Sequence, residues 1–314
     1  LQNEATFILP ELESPKILDL GVNYITYGDE EGPRPAFEKF AKTNNISKLG
    51  VESRTIRHLE LDLISSTGIS SNITDSIDIF AKLRMSKSDK EKDCMIEAVK
   101  IAETSLKSIL GNIKPGVTEK QFAADLVIEL LRNGSDSEFP FSPIGAPGIN
   151  AANPHHFPGN KEFQDGELII IDWGANFDGY FSDITRTFAL GDSIDSELLR
   201  AYEVVRNANN SAHIKTNIGV QAGDVDQAAR KVIEKSGFGK FFTHRTGHGL
   251  GLEVHEEPYI KPGNNFILEK GMTFTIEPGI YIPNLGGIRI EDDIYLEDFG
   301  AISLTTLSRE LIHL

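Results

Sequence analysis

Apolar residues along this chain follow two rhythms, a helical period and a strand alternation, and the switches between them outline its elements. Up to about residue 83 the rhythms alternate quickly. ATFILP is strand-like, PAFEKFAKTNN carries apolar residues at helical spacing, and KLGVES is a short strand leaving a turn. His58, in RTIRHLELDL, is expected at the surface or an interface. At Leu83–Ser88 the composition shifts to the charged LRMSKSDKEKD, which places a domain boundary near residue 84. Ser88 followed by Glu91 predicts a capping box opening a long helix. A second helix, VTEKQFAADLVIELLRNG, is predicted to start from Thr118 and stop at Gly134. Further on, Glu167–Phe177 and Gly179–Leu190 read as strands about an Asp178-Gly179 turn, and TFTIEPGIYI and IRIEDDIYLE flank the turn PNLGG.

The chain echoes itself. Asn112–Ile113, Ala123–Ala124 and Val127–Glu129 recur 105 residues later as Asn217–Ile218, Ala228–Ala229 and Val232–Glu234. Both copies read as a helix after an extended loop. The expectation is two similar halves, each of helices followed by strands, enclosing a shared site.

Composition narrows the class. A chain of 314 residues, 39% hydrophobic and 25% charged, is long enough for two domains of an ordinary globular protein. A formal net charge of −16, with no Lys/Arg-rich run, argues against a nucleic-acid or anionic-membrane partner. No apolar run approaches a membrane span, and no signal pattern opens the chain. The single Cys94 excludes an intrachain disulfide and suits a reducing, cytoplasmic setting; it reads as an inert thiol in a helix. The chain begins at Leu1, not Met, as a processed or truncated product would.

The two strand pairs carry the candidate chemistry. A loop centred between Phe177 and Asp178 sets Asp172 opposite Asp183, whereas a two-residue Asp-Gly turn makes them diagonal neighbours. Either register leaves both on one face, roughly 5–8 Å apart. Asp172 ends the apolar run Ile169-Ile170-Ile171, where an ionised carboxylate is costly without a cation or strong hydrogen bonds. A loop centred on Asn284 sets Glu277 opposite Glu291, which alternates with Ile288 and Ile290 as on a half-buried strand. Two facing carboxylate pairs repel unless metals sit between them. His248 lies in the glycine-rich Gly247-His248-Gly249-Leu250-Gly251, where backbone can approach a ligand closely. His244, His248 and His255 fall within twelve residues, and His155–His156 share another loop. Competing motifs fail. His255-Glu256-Glu257-Pro258-Tyr259 lacks the second His of HExxH and carries Pro, the GxGxG has neither a P-loop Lys nor Rossmann surroundings, and no GxSxG elbow exists.

PHHFPG, IIDWGANFDGYFSDITRTF, GHGLGLEVHEEP, FTIEPGIY and GGIRIED together resemble the signature of the pita-bread metallopeptidases specific for proline, the Xaa-Pro dipeptidases and Xaa-Pro aminopeptidases. The resemblance is strong over residues 84–314 and loose over 1–83. It implies an α+β fold, a pseudo-twofold catalytic domain at 84–314 behind a small α/β domain at 1–83, and a homodimer. It implies two divalent ions, Mn²⁺ or Co²⁺, with Asp172 on one, Asp183 and Glu291 bridging, and His248 and Glu277 completing the other. His155 aligns with a substrate-side histidine, and His156 receives no role. His255 would meet the scissile region, His244 would line the pocket of the residue after the cut bond, and Arg289 would support the carboxylates at the substrate site. A bridging water would attack the carbonyl before proline, with Glu277 as proton shuttle; the partners would be short peptides with proline second. Many dipeptidases place Arg just after the HExP segment where this chain has Tyr259, and the N-terminal domain is shorter than usual. Alternatives on the same fold are a binding module that keeps its metal, a methionine-aminopeptidase-like enzyme, or another C–N hydrolase. The close spacing of Glu277 and Glu291 favours the proline-specific branch over the methionine aminopeptidases.

Overall fold

The structure, a computed structural model, describes residues 5–314. Packing divides the chain into two compact units, Leu1–Phe80 and Ala81–Leu314. The first unit holds two parallel strand pairs, Thr6–Pro10 beside Asn23–Tyr27 and Leu49–Val51 beside Ile73–Asp75, with helices Arg34–Thr43 and His58–Ser66. His58 is exposed at the start of its helix. The division falls after Phe80, inside helix Ile77–Met85 and about one turn before the boundary expected near residue 84. The reason is packing: Ala81 and Met85, one turn apart on that helix, join the core of the second unit.

The second unit is built twice over. Its first half has helices Asp89–Ile109 and Glu119–Arg132, and its second half has Ser196–Lys215 and Ala222–Lys235. The capping box expected at Ser88 forms, and the helix expected to start from Thr118 opens with a second one. Ser88 N donates to Glu91 Oε2 at 2.7 Å, and Thr118 N donates to Gln121 Oε1 at 3.0 Å. The halves repeat bond for bond. Gly116 N donates to Phe163 O as Gly219 N donates to Leu268 O, and Phe163 N donates to Val117 O as Leu268 N donates to Val220 O.

These pairs correct the echo in the sequence. The strand side repeats at 105 residues (Phe163 and Leu268), but the helices repeat at 103, with buried Phe122, Leu126 and Leu130 matching Val225, Ala229 and Ile233. The second half lacks two residues between Ile218 and Gly219, relative to Lys114-Pro115 of the first. The Ala-Ala and Val-Ile-Glu matches therefore sit two positions out of true register.

Each helix pair covers an antiparallel sheet. One has strand order Ile312–His313, Ile184–Leu190, Glu167–Trp173, Ile144–Pro147, with only the short first strand parallel to its neighbour. The other runs Glu256–Ile260, Gly247–Gly249, Thr273–Ile276, Asp292–Glu297, Gly300–Ser303. Trp173 packs beneath the first sheet and donates Nε1–H to Ala102 O at 2.8 Å. Phe274, Ile276, Ile288 and Ile290 pack with Tyr202 and Val205 beneath the second. Burying each such side chain contributes about 1.5–3 kcal/mol. That layer offsets the cost of crowding carboxylates nearby. The sheets meet where Glu291 N donates to Thr185 O at 3.0 Å. The fold is α+β, as expected.

Candidate metal centre

The first hairpin takes the diagonal register of the two open at the sequence level. Asp178 (φ 50°) and Gly179 (φ 82°) both lie in the left-handed region, the signature of a two-residue type I′ turn. Phe177 therefore pairs with Tyr180 and Asp172 with Thr185, so Asp183 stands diagonally across from Asp172. The predicted continuous strands are interrupted at Gly174–Ala175 and Ser182–Asp183. At this break Asp183 N donates to Asp293 Oδ2 of the second hairpin at 3.1 Å.

The second hairpin follows the turn centred on Asn284, itself at φ 62°. Gly279 pairs with Arg289 and Ile276 with Asp292 in one common register, which sets Glu277 across from Glu291. At that one step the ladder opens. Glu277 N donates instead to Thr246 O (2.7 Å), and Glu291 N to Thr185 O. Gly286–Arg289 is buried on both faces, as are Ile290 and Glu291, so the half-buried alternation expected there is absent. Helix Ser196–Lys215 covers one side, and a cavity lined by Arg289 and Glu291 lies on the other.

His248 occupies the three-residue strand Gly247–Gly249. Its glycines serve the sheet and not a ligand: a Cβ on Gly247 would lie 1.9 Å from Thr275 O, and one on Gly249 2.2 Å from Glu257 O. His248 Nδ1–H donates to Gly249 O at 3.1 Å, which leaves the Nε2 lone pair facing Asp183 Oδ2 at 3.6 Å and Glu277 Oε1 at 3.5 Å. Ligand atoms of Asp183, His248 and Glu291 all lie within 4.8 Å of one another. Asp172, Asp183, His248, Glu277 and Glu291 all line one cavity of about 890 Å³. His155, His244, His255 and Arg289 line it too.

The electrostatics demand a cation. Burial raises Asp183 far above the usual carboxylate range, and the charges of Glu291, Asp172, Asp293 and Glu277 push it further. Glu291 is raised likewise by burial, then by Glu277 and Asp172. Burial raises Asp172 against the pull of Arg289, and it lifts Glu277 to about 7. His248 is pushed well down by burial and by His255, so it presents a neutral, ligating imidazole. Asp172 Oδ1 is buried with no hydrogen-bond partner. An orphaned carboxylate oxygen, four mutually repelling carboxylates and one neutral imidazole fit a site for divalent ions bound by oxygen and nitrogen.

Several supporting contacts could not be read from the sequence. Thr185 Oγ1 donates to Glu291 Oε2 at 2.6 Å. Arg289 donates Nη2–H to Asp172 Oδ2 (2.5 Å), Nε–H to Thr185 Oγ1 (3.0 Å) and Nη1–H to Tyr281 Oη (2.9 Å). Tyr281 in turn meets His244 Nε2 at 2.9 Å. Burial and Arg289 push His244 down to about 3, so that ring is neutral. His255 stands edge-on to His248, ring centroids 4.2 Å apart. The exposed His155 lines the cavity, and His156 lines it too while its Nε2 meets the buried Glu119 Oε2 at 2.9 Å. Glu119 also accepts from Asn150 (2.6 Å) and Gly159 N (2.5 Å), and so ties down the PHHFPG loop. The sequence signal for Glu119 was only its place beside the Thr118 cap. Lys87 and Glu256, both nearly inaccessible, form an ion pair next to His255. Burial pushes the Cys94 thiol up, as an inert thiol requires.

A sequence profile for metallopeptidase family M24 matches residues 93–298. The chain belongs to metallopeptidase family M24. It is 35% identical over 315 residues to the putative dipeptidase YkvY of Bacillus subtilis, covering 99% of this chain and 86% of that protein. It is 34% identical over 319 residues to the Xaa-Pro dipeptidase of Pyrococcus furiosus, covering 99% and 87%. A crystal structure of a dipeptidase from Pyrococcus horikoshii superposes with a TM-score of 0.92 at 42% identity, covering 98% of this chain and 85% of that one. The pita-bread fold implied by the sequence resemblance is the fold of these M24 relatives. The protein is a metal-dependent exopeptidase, and M24 membership does not favour a binding module without activity. Among the described residues no helix is long and apolar enough to cross a membrane.

Proposed function

We propose that this chain hydrolyses the peptide bond preceding proline in dipeptides or short peptides. One observation carries the reading: five candidate ligand side chains and four further histidines converge on a single cavity. The Xaa-Pro dipeptidases among its relatives support proline as the residue after the cut bond. Asp172 and Asp183 would hold one ion and His248 and Glu277 the other, with Asp183 and Glu291 shared between them. Two Mn²⁺ or Co²⁺ ions bound there would supply Lewis-acid charge that activates water and polarises the scissile carbonyl.

The chain's own groups handle the protons and the orientation. Glu277, a cavity-lining carboxylate beside the place of the attacking water, takes that water's proton and returns it to the leaving proline nitrogen. His255, beside His248, faces the developing oxyanion, and His155 meets the substrate from the open side. His244, fixed by Tyr281, walls the proline pocket. Arg289, with its guanidinium committed to Asp172, Thr185 and Tyr281, acts by holding Asp172 and not by gripping substrate. Arg245 and Lys261 stack on the ring of Tyr259 at 4.6 and 5.6 Å and line the cavity, so a dipeptide's free carboxylate meets positive charge although position 259 is not Arg. Residues 84–314 carry this chemistry, residues 1–83 form a small domain of their own, and the working form is a cytoplasmic homodimer.

The test compares Ala-Pro, Ala-Ala and an Ala-Pro-led tetrapeptide with the Mn²⁺-loaded and the Co²⁺-loaded protein. The expected result is a kcat/KM for Ala-Pro at least about tenfold above that for Ala-Ala. Equal rates for the two dipeptides would discard the proposal.

A further inference from the structure

The two glutamates sit where their strands part, and something must set the width of that parting. Helix Ser196–Lys215 supplies it. Asn209, fully buried on the face of this helix turned to the strands, points its amide nitrogen at Ile276 O (3.1 Å), Ile290 O (3.2 Å) and Asp292 Oδ2 (3.1 Å). All three neighbours are acceptors, so the amide orientation is dictated and not a choice between nitrogen and oxygen. Ile276 and Ile290 immediately precede Glu277 and Glu291. Asp292, next after Glu291, is clamped from the other side by Arg186 and Arg309, each at 2.7 Å. A single side chain thus ties both strands at the step where they stop pairing with each other.

We propose that Asn209 is a positioning residue for the metal centre: it fixes the separation of Glu277 and Glu291 and thereby the affinity of the site for its ions. The inference rests on the metal-site reading above. Two features make the role specific. The amide has only two N–H groups for three acceptors, and its own Oδ1 is buried with no partner, so the side chain is held there at a cost in hydrogen bonding. It also lies on the helix side of the strands, where a group chosen only for packing would be apolar like its helix neighbours Tyr202, Val205 and Ala212.

The test is a titration of EDTA-stripped protein with Mn²⁺ alone, followed by calorimetry, alongside thermal unfolding of the metal-free form. Asn209→Ala is expected to weaken Mn²⁺ binding by about 10- to 100-fold, the usual effect of losing a group that orients metal ligands. Asn209→Ser, which keeps one donor, should fall between Ala and wild type. Val205→Ala, a buried truncation one turn earlier on the same helix, should lower the unfolding temperature yet leave Mn²⁺ affinity within about twofold of wild type. If Asn209→Ala does not fold, Asn209→Ser carries the decision. Wild-type Mn²⁺ affinity in a folded Asn209 variant, or an equal loss in Val205→Ala, would overturn the proposal. Wild-type protein that binds no Mn²⁺ would instead overturn the metal site itself.

Discussion

The two hairpins that supply the carboxylates solve the same task differently. In the first, Asp172 lies within a regular ladder opposite Thr185, and a tight turn places Asp183 diagonally from it just past the ladder's end. In the second, the ladder opens at the step shared by Glu277 and Glu291, whose amides bond instead to Thr246 O, just before strand Gly247–Gly249, and to Thr185 O of the first hairpin. The aspartates thus project from a regular ladder and its end, the glutamates from a gap whose backbone amides bond elsewhere. The hairpins also hold each other's carboxylates and backbone. Arg289 of the second holds Asp172 of the first, Thr185 of the first holds Glu291 of the second, and Asp293 of the second accepts from Asp183 N. Neither half contains a complete site.

The sharpest way to break the comparison is to remove one carboxylate charge from each hairpin. Asp183→Asn and Glu291→Gln should each lower kcat/KM by about a thousandfold or more, since an ion that activates water is lost or displaced. Metal analysis should find fewer ions per chain than in wild type. A variant of either kind that kept full metal content and activity would show that its hairpin is dispensable.

Next comes the exchange between hairpins. Arg289→Met strips Asp172 of its partner and leaves a buried charge uncompensated, at a cost of about 3–5 kcal/mol to the metal-free protein. Saturating Mn²⁺ should recover much of that loss, because an ion compensates the same carboxylate. Urea unfolding with and without Mn²⁺ reads both quantities. Equal losses in the two conditions would mean that Arg289 supports the strand and not Asp172.

The smallest effect concerns the network behind the second hairpin alone. His213 accepts from Arg309 at 2.9 Å, and burial followed by Arg309 lowers its pKa to about 4. A histidine depressed in the folded state contributes stability that is complete above its unfolded pKa of about 6.5 and is lost as pH falls toward 4. His213→Gln keeps an acceptor for Arg309 but cannot titrate. Between pH 7 and pH 4.5 the wild type should lose roughly 2 kcal/mol more than this variant, as measured by denaturant unfolding at each pH. Parallel curves would remove His213 from the network.

Much of the site was legible because its elements are local. The capping box at Ser88, the helix start at Thr118, turns at Asp178-Gly179 and Asn284, and strand alternation all act over a few residues, so they can be read along the chain. The turns even narrowed the carboxylate registers to two choices for one hairpin and one for the other. The 105-residue echo pointed to duplication but misplaced the helix register, since chance identities set the offset while the buried positions match at 103. The glycines about His248 were read as room for a ligand, and they prove to be room for neighbouring carbonyls. Tyr281, Glu119, Lys87 and Asn209 carried no signal, because their partners lie far away in sequence.

What the sequence by itself determined is the inventory: which side chains can bind metal, which turns face them toward each other, and that the chain is built of two like halves. Only the tertiary structure decided that the ligands of one half are held by residues of the other, and that the glutamate strands part under Asn209. The physical reason is range. Turn and periodicity preferences are set by neighbours a few bonds away. The fate of a buried charge depends on which groups the folded chain brings within hydrogen-bond distance, and burial makes that dependence strong.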